Sequence, residues 1–326
     1  MKNLLCLLLL FTFACSEEAQ TKVPCTTGRY EKDLFADSSK KTVQFGSNKG
    51  WNGENVNLNV DVFEPKGDTA SLRPLIIFAH GGGYVQGTKD DMAYFCQQFT
   101  KKGYVTASID YRLIPMDKIY DINNMKREIV KAMSDFKSAI RFFRASATNG
   151  NPYKIDPNNI FIGGASAGAI TALHIGLLDE DDQMPTDFSK FVADEGGLEG
   201  NTGTPENLKV SSKIKAVINY SGSILEENWI DKNDAPIFSY HGTADDVVPI
   251  NYGITGKSFN MYGSESIKNK ADAVGLFSIL VKAPNGGHTN IYLDAAYASY
   301  YIDFHNQVYA KMRSMMCGTA TPNKKT

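Results

Sequence analysis

Residues 160–170 read Ile-Phe-Ile-Gly-Gly-Ala-Ser-Ala-Gly-Ala-Ile. A short apolar run, a Gly-x-Ser-x-Gly turn and a run of helix formers predict a strand, a tight turn and a helix, with Ser166 at the apex. The small residues around the serine let the strand and helix approach closely beneath it. A fold built on such a unit needs a buried, mostly parallel sheet covered by helices.

The rest of the chain supplies that sheet. Residues 56–63 alternate apolar and polar, as a half-buried strand does. Residues 74–80, 103–112, 214–222, 235–242 and 276–281 are continuous apolar strands, buried on both faces. Helices are expected over 90–101, 123–147, from Ser166 to about Leu178, and over 291–315. The long one carries Met125, Ile129, Met133, Phe136, Ile140 and Phe143 at helical spacing. Strands alternating with helices predict an α/β fold with helices on both faces of a mostly parallel sheet. The polar, Gly-rich segment 179–210 is an insertion after the serine's helix, expected to lie over the sheet and cover the site.

The N-terminus reads as an export leader. Lys2 precedes the apolar run 4–11, too short to span a bilayer, and Ala14-Cys15 resembles a lipoprotein cleavage site, with Thr12 where an aliphatic residue is usual. Residues 1–15 are thus expected to be a signal peptide cleaved before Cys15, the lipid anchor of an exported, membrane-attached protein. A plain signal peptide would instead give a secreted one. Residues 16–55 are expected to be a tether and irregular lead-in, and 56–326 a single domain. Export permits a disulfide, and three pairings are open to Cys25, Cys96 and Cys317. The chain's 34 Lys and Arg against 36 Asp and Glu leave a net charge of -2, and no basic cluster marks a nucleic-acid surface.

In open parallel sheets, ligands bind at the carboxyl ends of the strands. Four strand ends carry chemistry here: His80-Gly81-Gly82-Gly83-Tyr84, then Ser166, then Gly242-Thr243-Ala244-Asp245-Asp246, then Asn285-Gly286-Gly287-His288. A serine hydroxyl needs a base to take its proton, an imidazole can be that base, and a carboxylate behind it fixes the tautomer. Backbone N–H groups of Gly82, Gly83 and Ala167 suit the oxyanion of a tetrahedral intermediate, where losing one donor typically costs about 3–4 kcal/mol of barrier. His80 and His241 are expected to brace loops, and His174 and His305 to be structural. Tyr84 and Tyr220 are expected to border the substrate. Asp245 and Asp246 both follow the same strand.

These motifs resemble the α/β-hydrolase carboxylesterases over the chain from about Val56 to its last helix. His80-Gly81-Gly82-Gly83 resembles the oxyanion motif of the hormone-sensitive-lipase-like esterases, and Asp110-Tyr111-Arg112-Leu113-Ile114-Pro115 resembles their Asp-Tyr-Arg-Leu-Ala-Pro. The resemblance implies an eight-stranded sheet, a Ser166–His288–Asp245 triad with Asp245 rather than Asp246 as the acid, a structural role for Asp110 and Arg112, and hydrolysis of carboxylic esters without metal or cofactor. It departs at Ala165 and Ala169, where those esterases commonly carry Asp and Gly, and in an acid loop nearer to the exported acetyl and feruloyl esterases of plant polysaccharide. Small-molecule or polysaccharide-linked esters are the implied substrates. A prolyl-oligopeptidase-type peptidase shares the triad order, though the chain has no length for a propeller and the glycine loop favours esters. A binding module on the same fold would usually lack a triad member.

Overall fold

The structure is a computed structural model and describes residues 22–318. The expected leader over 1–15, its Cys15, and the start of the tether lie outside the described residues.

Strands β1 (Ser38–Lys49) and β2 (Asn55–Pro65) form an antiparallel hairpin with a bulge between Gln44 and Gly46. Then come β3 (Arg73–Ala79), helix α1 (Ala93–Thr100), β4 (Val105–Ile109), the long α2 (Ile122–Thr148), β5 (Ile155–Ala165) and α3 (Ala167–Leu177). Helix α4 (Thr186–Asp194) lies in the insertion, followed by β6 (Val217–Tyr220), β7 (Ser223–Ile224) and β8 (Ile237–Gly242). Strands β9 (Tyr252–Thr255) and β10 (Phe259–Gly263) precede α5 (Ser264–Val274), β11 (Ser278–Ala283), α6 (Asn290–Leu293) and α7 (Ala298–Cys317). The main sheet has eight strands in the order β1-β2-β4-β3-β5-β6-β8-β11, and β7-β10-β9 form a small second sheet. Pairings from β4 through β11 are parallel; β1–β2 and β2–β4 are antiparallel.

The continuous apolar runs have a direct cause. In β3, Leu75, Ile77 and Ala79 point into one core and Ile76 and Phe78 into the other. The first core takes α2 and α3 through Met133, Phe136, Ile140 and Leu173; the second takes α1 and α7 through Phe99, Phe304 and Val308. Each fully buried Leu, Ile or Phe contributes about 1.5–3 kcal/mol relative to exposure. Helix α2 starts where the Asp121 carboxylate accepts the Asn123 N–H at 2.8 Å, and α5 stops at Gly275, whose φ of 82° is left-handed.

Several expectations need correction. The segment expected as an irregular lead-in contains β1, paired with β2 from Ser38–Pro65 to Lys49–Asn55. It is an edge strand with only one fully buried residue, so it carries lysines rather than an apolar stripe. Residues before it also belong to the body: Tyr30 is buried, and Arg29 forms a nearly buried ion pair with Asp68 at 2.5 Å. Cys25 bonds to Cys317, and Cys96 is a buried free thiol. The last helix is broken after Leu293, where Asp294 turns the chain and accepts the Ala296 N–H at 3.0 Å.

The insertion 179–210 does not cover the strand ends that carry the site. It packs on α2 through a buried polar network. The Arg112 guanidinium reaches Asp135 at 2.9 Å and Glu195 at 3.0 Å, Thr202 donates to Asp135 at 2.7 Å, and Arg141 donates to the Thr202 carbonyl at 3.0 Å. Arg112 is structural, as the resemblance implies. Asp110 is too, accepting the Lys89 N–H at 2.9 Å.

Candidate active site

Adjacent strands β3 and β5 present the first two elements of the site. After β3, the His80 ring stacks on Tyr111 with centroids 4.3 Å apart, and the Tyr111 hydroxyl donates to the His80 carbonyl at 2.9 Å. This fixes the backbone of the glycine loop. Gly82 has φ 101°, and a Cβ there would sit 2.1 Å from the Gln86 carbonyl oxygen, so only glycine fits. Its carbonyl accepts the Val85 and Gln86 N–H groups. Among the described residues no protein acceptor meets the N–H groups of Gly82, Gly83 or Ala167. Ala167 opens α3, where the helix dipole favours negative charge.

Ser166 stands between β5 and α3 with φ 53° and ψ -119°, a strained conformation for a residue with a side chain. Its N–H donates to the Tyr220 carbonyl at 2.9 Å. The flanking glycines are demanded by close approach: a Cβ at Gly164 would lie 2.4 Å from the Gly168 backbone, and one at Gly168 2.1 Å from the Ala79 carbonyl oxygen. The departure at Ala169 has a local partner. A Cβ at Gly222 would lie 2.7 Å from the Ala169 methyl, so the absent side chain at 222 leaves room for the methyl at 169.

Strands β8 and β11 supply the other two groups. Their loops are stitched together: the Thr243 N–H donates to the Ala283 carbonyl at 2.9 Å and the Ala244 N–H to the Gly286 carbonyl at 2.8 Å. Asp245 Oδ2 lies 2.7 Å from His288 Nδ1, and His288 Nε2 lies 2.9 Å from Ser166 Oγ. Asp245 Oδ1 accepts the Val247 and Val248 N–H groups at 3.0 and 2.8 Å. Asp245 is buried and Asp246 exposed. Burial opposes ionisation of Asp245, but hydrogen bonds from His241, His288 and the Val248 N–H outweigh it and hold the carboxyl well below its ordinary value. With the carboxylate accepting Nδ1–H, Nε2 is left free to accept the serine proton.

Of the other histidines, only His241 approaches the three groups, with Nε2 3.3 Å from Asp245 Oδ2. His80 Nδ1 lies 2.7 Å from the Gly81 carbonyl, and His241 bridges Ser264 Oγ and the Val248 carbonyl. His174 Nδ1 bonds to the Ile170 carbonyl, and burial lowers that imidazole to about 4. Burial likewise lowers His305 to about 4, and its Nε2 meets the Tyr220 hydroxyl at 2.8 Å.

A cavity of about 570 Å³ opens at Ser166 and His288, lined also by Gly82, Gly83, Tyr84 and Ala167. Tyr84 therefore borders it, with its hydroxyl tied to Thr171 Oγ1 at 3.1 Å. Tyr220 does not: its ring is fully buried in the core on the α1–α7 face, and Ser221 takes the place at the wall. The insertion contributes nothing to the lining. The wall comes instead from Phe95, Ile129, Ile170, and Phe259 and Met261 of β10. Ile129 was legible only as core, because the apolar face of α2 serves both core and cavity. The β9–β10 hairpin carried no sequence signal that set it apart from a loop. Outside the cavity, Asp179, Asp231 and Asp234 bring carboxylate oxygens within 4.8 Å of one another, the one cluster among the described residues with the donors to hold a metal ion.

Residues 60–226, just over half of the chain, match the BD-FAE family. The chain is 26% identical over 210 residues to esterase LipC of Mycobacterium tuberculosis, covering 59% of this chain and 49% of that protein. It is 26% identical over 202 residues to Probable carboxylesterase 3 of Arabidopsis thaliana, covering 59% and 60%. It thus spans about half to three fifths of the length of these relatives. Among solved structures it is similar to esterase 2 of Thermogutta terrifontis, with a TM-score of 0.60 at 19% identity over 87% of this chain and 95% of that one. That esterase has been solved phosphorylated by paraoxon and with propionate or butyrate bound. The likeness identifies the fold as that of the α/β hydrolases.

Proposed function

The chain belongs to the BD-FAE family, and from that premise we propose that it is a serine carboxylesterase working through an acyl-serine intermediate. The observation that carries this reading is the unbroken chain Ser166 Oγ–His288 Nε2 at 2.9 Å and His288 Nδ1–Asp245 Oδ2 at 2.7 Å, opening on a mostly apolar cavity.

In this reading His288 Nε2 takes the Ser166 proton as Oγ attacks the ester carbonyl. Asp245 fixes the imidazole tautomer and stabilises the imidazolium that forms. The carbonyl oxygen, now negative, is met by the unpaired N–H groups of Gly82, Gly83 and Ala167. Collapse expels the alkoxide, which takes the proton from His288 and leaves the acyl group on Ser166. Water, deprotonated by His288, then attacks the acyl carbon, a second tetrahedral intermediate collapses, and the acid departs as Ser166 regains its proton. The side chains of this cycle need no metal or cofactor.

Short acyl esters are the proposed substrates, supported by the propionate and butyrate complexes of the Thermogutta esterase, and the mostly apolar cavity suits an acyl chain. Export remains part of the reading, supported by the Cys25–Cys317 disulfide, a bond that persists in oxidising compartments. The test is turnover of p-nitrophenyl acetate and butyrate beside a peptide panel. Ser166→Ala is expected to lower ester kcat by roughly 10⁴–10⁶-fold with the fold intact. Near wild-type turnover by that variant, or peptides cleaved in preference to esters, would overturn the assignment.

A further inference from the structure

One hydroxyl pair in the cavity wall has no task in the cycle above. Ser221 follows β6, the strand between the one that presents Ser166 and the one that leads to Asp245. Tyr292 stands on α6, in the turn that follows His288. Both line the cavity, and their oxygens are 2.8 Å apart.

Among the described residues, neither hydroxyl has a second side-chain or backbone partner. Two hydroxyls carry two protons, and their mutual bond uses one. Whichever oxygen donates, the other keeps an O–H with no protein acceptor among the described residues, in a cavity wall where the Phe95 ring lies edge-on to that of Tyr292. A donor in such a place is satisfied by water or by a ligand. The backbone of Ser221 sharpens the point. Its φ is 56°, the left-handed region that glycine occupies at less cost. Turn geometry alone would be served better by glycine, so the serine is accounted for by its hydroxyl, which holds that of Tyr292.

We propose that the Ser221–Tyr292 pair is a recognition site for an oxygen acceptor (ether, hydroxyl or carbonyl) carried by the substrate close to its ester bond. The protein then prefers oxygen-substituted esters to hydrocarbon esters of the same size. The inference rests on the serine-esterase reading.

The test uses matched esters of equal heavy-atom count: 2-hydroxyethyl against propyl butyrate for the alcohol side, and ethyl methoxyacetate against ethyl butyrate for the acyl side. The ratio of kcat/KM within each pair is measured for wild type, Tyr292→Phe, Ser221→Gly and the double variant. Comparing ratios between proteins cancels the intrinsic reactivity of the esters. Tyr292→Phe keeps the ring, and Ser221→Gly keeps the left-handed turn. In at least one pair the preference for the oxygenated ester is expected to fall about five- to tenfold in the double variant and in whichever single variant removes the hydroxyl that donates to the substrate, the worth of one neutral hydrogen bond. The other single variant, which keeps the donating hydroxyl but loses the partner that orients it, is expected to retain part of the preference. Unaltered ratios in both pairs, or equal losses on oxygenated and hydrocarbon esters, would overturn the inference. Wild-type turnover of p-nitrophenyl butyrate separates the two readings. Hydrolysis of no ester at all would overturn the esterase assignment together with this inference, whereas hydrolysis with unaltered ratios would overturn this inference alone.

Discussion

Asp245 divides its two oxygens between two tasks. Oδ1 closes its own loop by accepting two backbone N–H groups; Oδ2 faces His288, with His241 Nε2 at 3.3 Å. Because its folded value is depressed below the ordinary 3.8, it contributes stability that is present above that pH and is lost as the pH falls toward the folded value. Asp245 therefore stays ionised throughout the neutral range. Asp245→Asn is expected to lower kcat on p-nitrophenyl acetate by about 10³–10⁴-fold, whereas Asp246→Asn, at an exposed side chain, should stay close to wild type; the reverse pattern would reassign the acid. Ser166, Asp245 and His288 were legible because each follows an apolar strand, and strand ends converge in this kind of sheet. Tyr220 was misread because a strand's side chains alternate between its faces: its ring turns into the core, while the next residue reaches the cavity.

The strands that form the parallel part of the sheet announced themselves, since burial on both faces demands unbroken apolar runs. β1 did not, because an outer edge tolerates Lys40 and Lys41, and β7, β9 and β10 are too short to show a period. The placement of the insertion was likewise hidden, since Arg112, Asp135 and Glu195 meet only through long-range folding. Helix α2 carries a further test. Glu128 is buried, accepts the Trp51 Nε1–H on one carboxylate oxygen and leaves the other without a partner. Burial pushes its carboxyl well above the ordinary 4.5, against the pull of Trp51 and Lys131. With a folded value above the unfolded one, its contribution to stability is full below about pH 4.5 and shrinks as pH rises. Glu128→Gln keeps an acceptor for Trp51 and cannot ionise. Its Tm relative to wild type should therefore rise with pH above about 4.5, levelling off only once the buried carboxyl ionises, and a difference that falls with pH or never departs from zero would contradict this reading of Glu128.

The whole molecule is closed by the bond between Cys25 and Cys317, 292 residues apart in sequence. It ties the N-terminal arm, which packs beside β4 through the Tyr30 N–H to Lys102 carbonyl bond, to the end of α7. Sequence left three pairings open because nothing in local pattern says which ends meet. Replacing both cysteines by serine is expected to lower the unfolding free energy by about 2–5 kcal/mol, read as a lower urea midpoint, with kcat little changed because neither cysteine lines the cavity; an unaltered midpoint would show that the arm is held by packing alone. No helix among the described residues is long and apolar enough to cross a membrane. The proposed nucleophile is one strained serine, Ser166, activated by one histidine, His288. The most direct measurement is reaction of the folded protein with a fluorophosphonate, followed by mass spectrometry of its peptides. A single adduct is expected on Ser166, absent from Ser166→Ala and much slower to form in Asp245→Asn. No adduct on the folded protein, or an adduct on another residue that survives Ser166→Ala, would contradict it.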